Sequence, residues 1–193
     1  MAEHVCPCFA GYFLANRLRK LLQNPYKILA PYVKPGMTVL DVGSAMGFFS
    51  LPLARMVGPE GRVVAVDVQE KMLRRLRARA RNAGLLERIE PILCTPESLC
   101  LETHDGTIDF ALAFAVVHET PNPERLFTEI ARALKLGGLL LVAEPARHVA
   151  ADDFDRTVTT AEAQGFTVLE RPRIAASNAV LLRKEGRGGR TEG

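Results

Sequence analysis

Chemistry is concentrated first in the run Val39-Leu40-Asp41-Val42-Gly43-Ser44-Ala45-Met46-Gly47-Phe48-Phe49-Ser50. An apolar, β-branched stretch reaches an acid, glycines follow, and an apolar segment resumes. That order predicts strand, turn, helix. Glycines at such a turn let a ligand approach the backbone closely. A second acid, Asp67, closes another apolar run 20 residues beyond Gly47. In an open α/β sheet an acid at that place holds the hydroxyls of a ribose. Together these residues predict a nucleoside-containing ligand at the carboxyl ends of the first strands. Residues 43–47 do not follow G-x-G-x-x-G, so a dinucleotide is a poor match. Asp41, two residues before Gly43, would repel a pyrophosphate and favour a cationic amino group.

Acid–base chemistry has a second centre. His118-Glu119 follows an apolar run directly. Histidine titrates near neutral pH and can take a proton from a reacting group. Glu119 is placed to orient it or to hold a cationic acceptor. Asn122 stands where a zinc-protease motif would need its second histidine, so that reading fails. Glu144 ends another apolar run and is expected to face the same mouth as a pocket residue, with His148 close by. His4, Cys6 and Cys8 form a small cluster of soft ligands, and Cys94 ends a strand. A Cys-x-Cys pair without a second pair lacks structural zinc spacing, so no metal site is expected. A metal or a thiophilic substrate remains the minor reading of these thiols.

Those residues need elements to position them. Strands are expected over 37–42, 62–66, 89–94, 107–117 and 139–143, each apolar and bounded by turn residues. Helices are expected over 48–57, 69–83 and 123–134. In 69–83, Met72, Leu73, Leu76 and Ala80 recur at three- and four-residue spacing, with arginines on the other faces. Continuous apolar strands alternating with helices mean a parallel sheet covered on both faces. A further helix over 152–164 precedes two strands, 166–170 and 179–183, joined too closely for a helical crossover. They should pair antiparallel. The fold class is therefore α/β, Rossmann-like and doubly wound, with seven strands mostly parallel and the last antiparallel. Gly137-Gly138 is expected to make a turn before the fifth strand.

The chain of 193 residues, 48% hydrophobic and 24% charged, is long enough for one buried core. The boundaries expected are an N-terminal helical lid over 1–30, a ligand-binding domain over 31–185 and a disordered tail over 186–193. A net charge of +3 gives no reason to expect a nucleic-acid partner. The arginines of 69–83 read as the solvated face of an outer helix. No apolar stretch approaches the roughly 20 residues of a membrane span. The first residues show no basic-then-apolar leader. The expectation is a cytoplasmic protein with reduced thiols.

S-adenosylmethionine carries an ammonium and a sulfonium and no phosphate, which suits a groove lined by Asp41 and Asp67. At this point the sequence resembles the class I S-adenosylmethionine-dependent methyltransferases over residues 31–184. Asp41-Val42-Gly43 through Gly47 matches the family's first motif, and Asp67 the acid after the second strand. Ile108-Asp109-Phe110-Ala111-Leu112 matches its fourth-strand motif, and Leu134-Lys135-Leu136-Gly137-Gly138 its turn before the fifth. Ala45 departs from the family's middle glycine, and Thr95-Pro96 from its Asp-Ala. The resemblance implies that Asp41, Gly43, Ser44, Ala45 and Gly47 surround the methionine part and that Asp67 binds the ribose. It also implies that Val68 and Met72 flank the adenine, that Thr95 accepts from its amino group, and that Phe114 sits near the sulfonium. Tyr12 and Asn16 would reach the cofactor from the lid. His118 and Glu119 would serve a small-molecule methyl acceptor. A non-catalytic cofactor-binding module is the alternative. A nicotinamide oxidoreductase is a more distant one, because none of the tyrosines has a lysine four residues on.

Overall fold

The computed structural model describes residues 23–186. Of the lid expected over 1–30, residues 1–22, with His4, Cys6, Cys8, Tyr12 and Asn16, lie outside the described residues, as does the tail from residue 187; residues 25–29 form a helix packed on the sheet.

Five apolar runs form parallel strands: β1 (Thr38–Val42), β2 (Arg62–Asp67), β3 (Ile89–Leu93), β4 (Ile108–Phe114) and β5 (Leu134–Pro145). With β6 (Phe166–Glu170) and β7 (Ser177–Lys184) they make one sheet ordered β3-β2-β1-β4-β5-β7-β6. β7 runs antiparallel to both of its neighbours. The seven-stranded, mostly parallel sheet with an antiparallel last strand is the one the sequence predicts.

Alternation along the strands divides the core. Leu40, Val42, Val64, Val66, Ala111, Ala113, Leu140 and Val142 point to one face. There they meet Leu126, Phe127 and Ile130 of α4 (Pro123–Ala133) and Phe154 and Val158 of α5 (Ala151–Ala163). Val39, Val63, Ala65, Phe110, Leu112 and Leu141 point the other way. They pack on Leu29 of α1 (Pro25–Leu29), Leu53 of α2 (Ser50–Met56) and Leu73 and Leu76 of α3 (Glu70–Asn82). Each of these buried aliphatic side chains contributes about 1.5–3 kcal/mol of transfer free energy. Helix starts follow local chemistry: Asn122 caps α4 by accepting from the Arg125 amide at 3.0 Å, with Pro123 next.

Two expectations are corrected. Gly137-Gly138 does not separate a helix from a strand. Strand β5 already begins at Leu134, and the glycines form a bulge, with Leu134 opposite Ile108 but Leu139 opposite Phe110. Gly137 supplies the positive φ of 74° that the bulge requires. Nor are the arginines of α3 merely solvated. Arg79 donates to the Met46 carbonyl, Arg75 reaches the Met46 sulfur at 3.5 Å, and Arg77 donates to the Pro91 carbonyl at 3.3 Å. Guanidinium groups reach from α3 to fasten the turn after β1 and the strand β3 beside it.

Asp109 of the fourth-strand motif lies at the start of β4. It accepts from the Thr38 amide at 2.9 Å and pairs with Lys135 at 2.5 Å. Its task is fastening the amino ends of three strands. The crevice forms at the other end, where β2 and β4 flank β1 and the chain direction of winding reverses.

Candidate functional site

The glycine turn after β1 forms one wall of that crevice. Gly43 has φ +70°, and a Cβ there would lie 2.8 Å from Val116 Cγ2. Gly47 has φ +80°, and a Cβ there would lie 2.4 Å from Leu76 Cδ1. Both positions exclude side chains by conformation and by space. Ala45, between them, also adopts a positive φ, 46°. It keeps the conformation of the family's glycine at a cost of about 1–2 kcal/mol for an L-residue.

Three amides tie the turn to β2, and a fourth, from Gln69 at the start of α3, shares the Asp67 carboxylate. Gly43 and Ser44 both donate to the Val66 carbonyl at 3.0 Å. Ala45 donates to Asp67 Oδ2 and Gln69 to Asp67 Oδ1, each at 2.8 Å. Asp67 therefore positions the turn as well as facing the cleft. Burial pushes its carboxyl above the usual range, and the two amide bonds oppose that shift. Asp41, also buried, accepts from Ser50 Oγ at 2.5 Å. Asp41, Ser44, Ala45 and Asp67 line one cleft. Ser44 Oγ is buried and, among the described residues, has no hydrogen-bond partner. A buried hydroxyl on a cleft wall without a protein partner fits a site built for a polar ligand group.

The opposite wall comes from the ends of β3 and β4. Cys94, Thr95, Leu99, Phe114, Val116, Glu119 and Leu126 line it, and Val68 and Met72 lie between the walls. Thr95 Oγ accepts from the amides of Glu97 at 3.3 Å and Ser98 at 3.1 Å. Its lone pairs are committed to this turn, so what it offers a ligand is a hydrogen to donate, not the acceptor expected. The Cys94 thiol is pushed up to about 12 by burial and by nearby Asp67 and Cys100, so it stays a thiol at neutral pH. Among the described residues no group of His, Cys, Asp and Glu is arranged to hold a metal ion.

Aromatic side chains close the floor. Phe114 lies 4.7 Å from the Phe49 ring, and Phe49 meets Phe48 edge-on at 5.0 Å. Sequence reasoning singled out Phe114 alone. The pair Phe48-Phe49, directly after Gly47, was the available signal for the rest. Aromatic rings along a cleft favour a cation that meets a ring face.

The acid–base centre is arranged differently from the expectation. Ala115, with φ +57°, turns the chain after β4 so that the segment 116–119 crosses the rim. Glu144, 1% exposed at its side chain, faces this segment and not the cleft. Its Oε1 accepts from the amides of Val116 at 3.1 Å and Val117 at 2.8 Å, and its Oε2 pairs with His118 Nδ1. The orienting carboxylate is therefore Glu144, where sequence reasoning gave that task to Glu119. Glu119 instead lines the cleft, 3.9 Å from His118 Nε2. The hydrogen bond to Glu144 raises the His118 pKa, against the opposing pull of burial. Burial raises that of Glu119. The ring of His148, exposed, lies 6.1 Å from that of His118.

Comparison with known proteins agrees with this geometry. A family model described as a methyltransferase domain matches residues 33–176. The ubiquinone/menaquinone biosynthesis C-methyltransferase UbiE of Enterobacter sp. (strain 638) is 34% identical over 117 residues, 61% of this chain and 46% of that protein. The chain thus spans about half the length of the curated relatives it matches. A crystal structure of a SAM-dependent methyltransferase from Aquifex aeolicus superposes with a TM-score of 0.84 at 26% identity, covering 93% of this chain and 99% of that one. A structure from Methanococcus maripaludis, at TM-score 0.76 and 16% identity over 97% of this chain and 99% of that one, shares the fold.

Proposed function

From the premise that the chain belongs to the family of S-adenosylmethionine-dependent methyltransferase domains, we propose that it transfers a methyl group to a small-molecule acceptor. The observation that carries this reading is the convergence on one cleft floored by aromatic rings of Asp41, Asp67 and the Ser44 hydroxyl, which has no partner among the described residues. When bound, S-adenosylmethionine supplies a methyl group already activated by the sulfonium, so the protein's part is alignment and exclusion of water. Asp67 holds the ribose hydroxyls through lone pairs that its amide bonds leave over. Asp41, Gly43, Ser44 and Gly47 take the amino-acid part, and Ser44 Oγ gains its hydrogen-bond partner there. Val68 and Met72 flank the adenine, Thr95 donates to its edge, and Phe114 faces the cation. Glu119 and His118 are the proton acceptors at the rim.

Isothermal calorimetry tests this directly. Heat on adding S-adenosylmethionine, and none on adding NADH, is the expected result. The reverse would sink the reading in favour of an oxidoreductase.

Ala45→Gly provides a finer check. Removing the methyl group relieves the positive-φ strain but adds freedom to the unfolded chain worth about 0.4–1 kcal/mol. Stability by urea denaturation should rise by no more than about 1.6 kcal/mol, since the two effects oppose. Cofactor binding should tighten a few-fold as the cleft gains room.

The segment 1–22 is assigned the role of lid, with Tyr12 and Asn16 in it. Support comes from Gln23, whose side-chain amide donates to the Ala175 carbonyl at 3.1 Å and to Ser177 Oγ at 3.2 Å. Ser177 pairs with Pro145 at the carboxyl end of β5, so Gln23 is anchored on the side of the sheet where the strands' carboxyl ends lie. Amides of residues 1–22 should gain hydrogen-exchange protection when S-adenosylmethionine binds; identical exchange would remove the lid.

A further inference from the structure

We propose that Glu119 is the group that takes a proton from the acceptor, that His118 receives it in turn, and that Glu144 is the positioning residue for both. The acceptor class follows: a phenol or enol, whose nucleophilic atom appears only when its hydroxyl proton leaves. This deepens the methyltransferase reading and rests on it.

Three carboxylate and imidazole groups form a chain from the buried end of β5 to the cleft. Glu144 is the inner end. Its burial carries a desolvation cost that packing alone does not require, and three donors offset it. Two of those donors are the amides that set the rim segment. The third is His118 Nδ1, which fixes the tautomer and leaves Nε2 as an acceptor. That nitrogen points to the side of Glu119, 3.9 Å away, and only Glu119 of the pair lines the cleft. A carboxylate alone is a weak base for a phenol. Coupled to an imidazole that Glu144 makes more basic, it has somewhere to pass the proton. The exposed ring of His148 beside His118 gives the proton an exit to solvent. Other charged groups facing this chain are Asp67 of β2, which with Glu144 raises the Glu119 pKa, and His148, which with His118 lowers it.

The balance closes. The acceptor O–H bond breaks and its proton goes to Glu119, then to His118 and water. The freed electron pair, on oxygen or on the conjugated carbon, forms the new bond to the methyl carbon. The methyl–sulfur bond breaks with its pair left on sulfur, giving the neutral thioether. The rings of Phe48, Phe49 and Phe114 beside the cleft give a planar acceptor aromatic surface to pack against.

The test uses the whole chain with S-adenosylhomocysteine bound, and reads His118 by 15N NMR of its imidazole. The Nδ1–H tautomer is expected above the transition, with a pKa that falls by at least one unit in Glu144→Gln. If that variant does not fold, Glu119→Gln, at the cleft surface, still decides: its His118 pKa should fall. Catechol, the probe acceptor, should perturb the His118 resonance and bind at least tenfold more weakly to Glu119→Gln, while anisole, which has no hydroxyl proton to give, does neither. An Nε2–H tautomer, a His118 pKa indifferent to both variants, or catechol that does not bind or is indifferent to Glu119→Gln would overturn the proposal. Wild-type calorimetry with S-adenosylmethionine separates that failure from failure of the family reading.

Discussion

Replacing Asp67 by alanine is expected to weaken S-adenosylmethionine binding by about 1–3 kcal/mol, the loss of hydrogen bonds to a charged acceptor. That is about 5- to 150-fold in the dissociation constant. The same carboxylate holds the amides of Ala45 and Gln69, so the turn after β1 loses its tie to the start of α3. Asn at 67 should rescue only part. Its amide oxygen can serve one of those two donors, and its NH2 then confronts the other. Calorimetry of the wild type, Asp67→Ala and Asp67→Asn gives the order. An unchanged constant in Asp67→Ala would refute the ribose assignment.

Gly47→Ala should have the larger effect on stability. An L-residue at φ +80° costs about 1–2 kcal/mol. The new methyl group would stand 2.4 Å from Leu76 Cδ1, and Leu76 is fully buried. Making room in a packed core adds about 1–3 kcal/mol, for a total of about 2–5 kcal/mol. The melting temperature should drop by about 4–20 °C. Gly84 serves as the control: its φ is also positive, but a methyl group added there would meet nothing within 4 Å. Gly84→Ala should show only the conformational part. Equal destabilisation at both positions would mean that the close approach of α3 to the turn contributes nothing.

Most of the sheet is legible in the sequence because its strands are buried on both faces and read as unbroken apolar runs between turn residues. Asp41, the glycines and Asp67 are legible for a related reason: strand ends and turns in such a sheet fall at fixed places. What escapes is whatever depends on register. Glu144 and His118 are 26 residues apart. Only the alignment of Phe114 with Ala143 across β4 and β5 brings them together, and composition carries no trace of that alignment. The arginines of α3 mislead for a different reason. Their spacing shows which face they occupy, not how far long side chains reach over its edge. The bulge at Gly137 looks like a turn because both need the same left-handed glycine.

The placement of β7 bears on how the molecule is made. β6 leaves the ribosome before β7, yet β7 lies between it and β5. Until residues 177–184 emerge, β5 and β6 each present an unsatisfied edge to other nascent chains. The helix-covered half around β1 is complete much earlier and can consolidate by itself. Hence a translational stall late in the message, rather than early, is the event most apt to drive this protein into aggregates.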